Sequence, residues 1–271
     1  MNKYIFGVSG IGYNHLANGT ICQDANLIYN DKYRRIITCA DGHGSYIHHR
    51  SDRGSKAACL AAVEALKAID KDLTYDKIDD NLLKNIKLNI LCNWNRLVQD
   101  DLSVLPVTND DYSSLKKEEI ERVKNDPIIL YGTTLLACIH INDAIIFIQL
   151  GDGVSLYVNN DDKLFYPFEE INDTYGNFTT SMCQENAFEV MHIKAFKDTS
   201  ISSVMLVTDG VVNSYQSYEK FYSFFVNPIM NLVEKDKGIN KIKLFIKFLG
   251  RKLGIGDDVT LVTMGQFTRK E

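Results

Sequence analysis

Carboxylates placed where apolar runs end are the residues of this chain best suited to chemistry. Cys39-Ala40-Asp41-Gly42-His43-Gly44, Leu150-Gly151-Asp152-Gly153 and Val207-Thr208-Asp209-Gly210 each close such a run with Asp-Gly. Gly256-Asp257-Asp258-Val259-Thr260 sets two aspartates just before one. Carboxylates at the ends of buried strands repel one another and lose hydration unless a cation neutralises them. Magnesium and manganese prefer oxygen ligands, and two such ions sharing carboxylates can activate a water for attack on a phosphoryl group. Asp-Gly is also the commonest two-residue hairpin turn, and for one pair alone the turn is the simpler account. Asp41 and Asp209, however, close Ile36-Ile37-Thr38-Cys39-Ala40 and Val204-Met205-Leu206-Val207, runs too apolar for one arm of an exposed hairpin. Neither is followed by an alternating return strand, so both read as buried strands delivering a carboxylate to a rim.

The elements that must position these residues come in blocks. Tyr4 to Ser9, Ala25 to Tyr29 and Arg35 to Ala40 read as strands, which brings Asp24 and Asp41 near one sheet edge. A helix over Gly54 to Ile69 carries Ala57, Ala58, Ala61, Ala62 and Ala65, suited to close packing on a sheet. A second, over Asn81 to Val98, repeats Leu82, Ile86, Ile90 and Trp94 at helical spacing. Gln99 to Pro127 is charged, with a short helix over Leu115 to Lys124, and reads as a solvated face without chemistry. Leu130 to Ile141, Ala144 to Leu150 and Val154 to Val158 read as an antiparallel meander, and Leu164 to Glu185 as a long loop or flap. Strands over Ala187 to Ile193 and Ser203 to Val207 precede a helix pair, Tyr218 to Glu234 and Ile239 to Leu253, and a last strand over Val259 to Met264. Meandering strands and paired helices predict an α+β fold of two packed antiparallel sheets flanked by helices, not a doubly wound parallel sheet.

Composition sets the bounds. The 271 residues, 45% hydrophobic and 24% charged, can bury a sizeable core. The acidic segments run from Asp24 to Asp257 and must converge, so a single domain over 1-271 is expected. A net charge of -5 argues against nucleic acid as the main partner, which would call for a basic stripe. The apolar run at the start is too short for a signal peptide, and no segment is long enough to span a bilayer. Cys22, Cys39, Cys59, Cys92, Cys138 and Cys183 show no close paired spacing, so buried reduced thiols in a cytoplasmic protein are expected.

Cys22-Gln23-Asp24-Ala25, Ala40-Asp41-Gly42-His43-Gly44, Gly132-Thr133-Thr134, Gly151-Asp152-Gly153, Thr208-Asp209-Gly210 and Asp257-Asp258-Val259-Thr260 also follow a known order. Together they resemble the motifs of the metal-dependent PPM, or type 2C, serine/threonine protein phosphatases of bacterial type, from about Gly7 to Val262. The resemblance implies a four-layer α-β-β-α sandwich with a metal cleft at one end between the sheets. It implies two Mg2+ or Mn2+ ions, and a phosphorylated protein substrate made by a cognate serine/threonine kinase. By the family pattern Asp41 bridges both ions, the Gly42 carbonyl ligates one, and Asp209 and Asp257 complete the other. Asp24 would hold metal-bound waters, and Asp152, with Asp209, a weaker third ion found in some bacterial relatives. A side chain at position 42 would obstruct the carbonyl, and a tight turn there would call for positive φ. His43 resembles the family's proposed general acid, which protonates the leaving alkoxide.

Two departures qualify the pattern. Gln23 stands where many relatives carry glutamate, and no arginine lies between Gly7 and Asp24, where many relatives clamp the phosphate. The candidate cation in that segment is His15, which would either bind phosphate or pack in the turn. His48 and His49, in the polar loop Ser45 to Asp52, read as surface residues. Three functional readings follow: a metal-dependent phosphatase, a low-turnover sensor module on the same fold, and another two-metal phosphoesterase.

Overall fold

The computed structural model describes residues 3–161, 163–168, 180–198, 201–233, 235 and 237–265. Its strands are β1 (Tyr4–Gly10), β2 (Ala25–Asn30), β3 (Arg34–Ala40), β4 (Leu135–Ile141), β5 (Ala144–Leu150), β6 (Val154–Asn159), β7 (Leu164–Phe165), β8 (His192–Lys197), β9 (Ile201–Val207) and β10 (Val259–Gly265). They form two five-stranded sheets, ordered β1-β10-β9-β6-β7 and β2-β3-β4-β5-β8, with antiparallel neighbours. The helices are α1 (Tyr13–Ala17), α2 (Ser51–Lys67), α3 (Asp80–Val104), α4 (Lys117–Asn125), α5 (Ala187–Val190), α6 (Asp209–Val212), α7 (Tyr218–Phe221), α8 (Asn227–Val233) and α9 (Gly238–Phe248).

Three apolar clusters hold the layers together. Ile37, Cys39, Cys138 and Phe147 of one sheet meet Val204, Leu206, Val262 and Met264 of the other. Outside the β3-β4-β5 sheet, Ala58, Ala61, Ala62 and Ala65 of α2 and Ile86, Ile90 and Trp94 of α3 share a cluster with Ile36 and Ile139. Ile229 of α8 and Ile242 and Ile246 of α9 pack with Phe6, Leu156 and Leu261 of the opposite sheet. The result is the expected α-β-β-α order. With both faces covered, β5 is buried at every position, which is why Ala144 to Leu150 is almost unbroken apolar sequence. Each large aliphatic side chain buried in these layers contributes about 1.5–3 kcal/mol.

The elements depart from the sequence reading in four places. First, Val154 to Val158 does not continue the meander, because β6 pairs with β9 of the opposite sheet. Gly151, at φ +105°, turns the chain out of β5, so Leu150 to Gly153 is a crossing between sheets and not a hairpin. Second, the strand expected from Leu130 begins at Leu135. Asp126 caps a short 3-10 turn, Pro127–Tyr131, by accepting from the Ile128 N–H at 3.2 Å, and Pro127 suits its start. Third, Ala187 to Val190 is helical, the Asn186 carbonyl accepting from Glu189 and Val190, and the strand starts at His192. Fourth, the six cysteines are free, but Cys92 is exposed and Cys22 and Cys183 are half-buried. Residues 169–179 of the expected flap, Leu164 to Glu185, lie outside the described residues. Among the described residues no helix is long and apolar enough to cross a membrane.

Candidate active site

Four strands from both sheets bring carboxylates to one cleft of about 1350 Å³. Asp41 follows β3, Asp152 follows β5, Asp209 follows β9 and Asp257 precedes β10 by two residues; all four line the cleft, as do Gly42, His15 and His43. Asp24 is buried and is not among the lining residues. Its Oδ2 accepts a 2.9 Å bond from the Thr208 hydroxyl, which itself accepts from the Thr260 N–H at 2.9 Å. Asp24 is thereby tied to the opposite sheet at the residue before Asp209.

The Gly132-Thr133-Thr134 motif acts on the main chain of Asp41. The Thr134 hydroxyl accepts from the Asp41 N–H at 2.9 Å, the Thr134 N–H donates to the Asp41 carbonyl at 2.9 Å, and the Thr133 hydroxyl donates to that carbonyl at 2.8 Å. Gly42 does not adopt the positive φ expected of it. Glycine is required there by crowding, since a Cβ would stand 2.8 Å from the carbonyl oxygens of both Gln23 and Ser51.

The carboxylates are strained electrostatically. Burial, then the charges of Asp24 and Asp209, hold Asp41 well above the usual carboxylate range. Burial also raises Asp209 and Asp257. Burial and the Asp258 charge push Asp24 up to about 8. Oδ1 of Asp24 and Oδ1 of Asp209 are buried without a hydrogen-bond partner. Orphaned carboxylate oxygens are the donors that hard cations such as magnesium or manganese take. Among the described residues no three His, Cys, Asp or Glu side chains are arranged to hold one ion as they stand. The Gly42 carbonyl and waters would complete a shell, which magnesium in particular readily accepts.

A stability prediction follows from these shifts. The folded-state values of Asp24, Asp41, Asp209 and Asp257 lie above the ordinary 3.8, so the metal-free fold binds more protons than the unfolded chain. Stability is therefore present at lower pH and lost as pH rises through the folded values. His43 and His48, lowered from 6.5, oppose this only once pH falls below that value. Chelator-treated protein should melt higher at about pH 7 than at about pH 8.5, and manganese should remove most of the difference. Thermal melts at the two pH values check this; a higher Tm at the alkaline value contradicts it.

Several residues of the site carry more than their sequence suggests. Asp258 is buried, and its Oδ1 accepts from the Gly12 N–H at 2.7 Å while its Oδ2 accepts from the Gln23 N–H at 2.6 Å. His15 Nδ1 lies 3.0 Å from Asp258 Oδ2, an ion-pair contact without the alignment of a hydrogen bond. Burial would raise Asp258, but His15 and the two N–H donors outweigh it and hold the carboxyl low. His15 is raised in turn, by Asp258 first and against its own burial. The doublet Asp257-Asp258 thus divides its work, one carboxylate facing the cleft and one anchoring the loop before Asp24. His48 is not the surface residue expected. Its ring is half-buried, lines the cleft and lies 5.1 Å from that of His43. The charged segment assigned no chemistry also reaches the cleft, through Arg122, Asn125 and Asp126. Its Asp111 is tied back by Arg50, at 2.9 and 3.0 Å, and by His49 Nε2 at 2.7 Å. No spacing signal announces these contacts, because they join segments far apart in the chain.

A sequence model of the family described as Protein phosphatase 2C matches residues 11–247. The chain belongs to the protein phosphatase 2C family. The match stops short of Asp257, which the fold nevertheless carries to the cleft. Among solved structures the chain is similar to a bacterial serine phosphatase, at 14% identity over 100% of both chains with a TM-score of 0.61. It is also similar to serine/threonine phosphatase Stp1 from Staphylococcus aureus, at 14% identity over 99% of this chain and 96% of that one, with a TM-score of 0.60. The catalytic domain of serine threonine protein phosphatase PstP, in complex with 2 manganese ions, matches at 12% identity over 97% of both chains with a TM-score of 0.55. At such identities the likeness shows the fold. Comparison with curated proteins gives no match.

Proposed function

We propose that the chain, as a single domain over 1-271, is a metal-dependent phosphatase acting on phosphoserine or phosphothreonine in proteins of the cytoplasm phosphorylated by a cognate kinase. The observation that carries this is the convergence of Asp41, Asp209 and Asp257 with Gly42 at one cleft, where a buried carboxylate oxygen is left without a partner. These residues would hold two Mg2+ or Mn2+ ions, with Asp24 fixing Asp209's strand end from behind and Asp152, beside Asp209, available to a third. Bound there, such ions supply a water able to lose its proton at neutral pH and offset the charge of the phosphate.

The chain's own residues bind, orient and move the proton. His43 is pushed down to about 4, by burial first and then by His48, so its ring is neutral at neutral pH before substrate arrives. A phosphate dianion brought against it raises its affinity for a proton, which it then donates to the leaving serine or threonine oxygen. His15 has Nδ1 engaged by Asp258 and uses Nε2 to hold a phosphate oxygen. His15→Gln is accordingly expected to raise KM for a phosphopeptide several-fold while changing kcat less. Initial-rate kinetics check this, and a change in melting temperature with KM unmoved would assign His15 to the loop alone.

The function itself is tested by incubating the purified protein with a phosphothreonine peptide, para-nitrophenyl phosphate and a nucleic acid, each with manganese, magnesium or chelator. Metal-dependent phosphate release from the first two supports the proposal. No release at saturating manganese favours the sensor reading, to which Gln23 and the missing arginine point. Release from nucleic acid alone favours a different phosphoesterase.

A further inference from the structure

The ring of His43 makes no hydrogen bond among the described residues, and the ring contact it does make is with His48. A proton donor must be aimed, because transfer depends on alignment with the oxygen it serves. What aims His43 is therefore a question about His48. The Ile129 carbonyl accepts from His48 Nδ1, and since a carbonyl only accepts, that nitrogen carries the proton. Across the ring lies Gly132. A Cβ at that position would fall 2.5 Å from His48 Nδ1 and 2.8 Å from Cε1 and Cγ. Gly132 itself has φ -52° and ψ 128°, which alanine adopts without strain, and the atoms nearest to a Cβ there are those of the His48 ring. The Gly132 carbonyl also accepts from the His43 N–H at 3.0 Å, tying the same glycine to the main chain of His43.

We propose that His48 is the positioning residue for His43: held by the Ile129 carbonyl and by the space above Gly132, its ring sets the orientation of the His43 imidazole toward the leaving group. This rests on the reading of His43 as the proton donor. Burial, the first of its causes, lowers His48 from 6.5 and keeps its ring neutral beside His43. Gly132 thus carries two tasks, opening the motif that holds Asp41 and clearing the seat of His48.

The test is steady-state kinetics with manganese, on a phosphothreonine peptide and on para-nitrophenyl phosphate, for His48→Ala, Gly132→Ala and both together, alone and with His43→Ala. Melting temperature and calorimetric manganese affinity serve as controls. His48→Ala is expected to lower kcat on the peptide on the order of tenfold, with KM and manganese affinity unchanged and the aryl phosphate rate within about twofold. Gly132→Ala should show the same substrate dependence, and should add nothing once His48 is alanine, because the clash is gone. In the His43→Ala background His48→Ala should have no further effect. Equal losses on both substrates, or additive losses with His43→Ala, overturn the proposal while leaving His43 as the donor. If His43→Ala itself lowers both substrates equally, the proton-donor reading fails and this inference falls with it.

Discussion

Asp41→Asn is expected to lower hydrolysis of a phosphothreonine peptide by roughly a thousandfold or more at saturating manganese, with the fold intact. The substitution preserves shape and removes the charge that would be shared between two ions. Loss of several kcal/mol of charge stabilisation corresponds to about this factor, at tenfold per ~1.4 kcal/mol. Stability should move the other way. Asp41 is half-buried near the charges of Asp24 and Asp209, and its carboxyl is held well above the usual range, so the metal-free charged form is a burden on the fold. Asp41→Asn should therefore melt at or above wild type in chelator and gain little from added manganese. Activity within tenfold of wild type, or a lower Tm in chelator, contradicts the placement of Asp41 at the centre of the site.

His43→Ala should lower kcat on the phosphothreonine peptide by roughly 100- to 10,000-fold, the range for removing a general acid. On para-nitrophenyl phosphate the loss should be small, because nitrophenolate leaves without needing a proton. The same asymmetry should appear along pH, with the wild-type advantage on peptide fading as the pH rises and protonated His43 becomes scarcer. Measuring both substrates with one enzyme preparation removes uncertainty about active fraction. Equal losses on the two substrates would place His43 in support of the main chain of Gly42 rather than in proton transfer.

The carboxylates of the site are legible in the sequence because each sits just after or just before an apolar run, and a buried strand can end only at a sheet edge. The helix of alanines and the i, i+4 repeat over Leu82, Ile86, Ile90 and Trp94 likewise announced the layer outside one sheet. The crossing at Gly151 was not legible, since adjacent strands usually pair and nothing in Val154 to Val158 says which sheet it joins. Asp258 was hidden by Asp257, because two adjacent carboxylates look alike until the loop is folded around one of them. The polar neighbours of His48 point to the surface, whereas its seat is built by Ile129 and Gly132, some eighty residues further along. Local and periodic physics shows in the sequence, and a contact between distant segments does not.

If Asp41, Gly42, Asp209 and Asp257 form a site for divalent cations, calorimetric titration of manganese into the chelator-stripped protein will show it. Wild type should take up two ions per chain, while Asp41→Asn, still folded by its melting curve, should lose both. No manganese binding by wild type, or the same stoichiometry and affinity in Asp41→Asn, would contradict the claim.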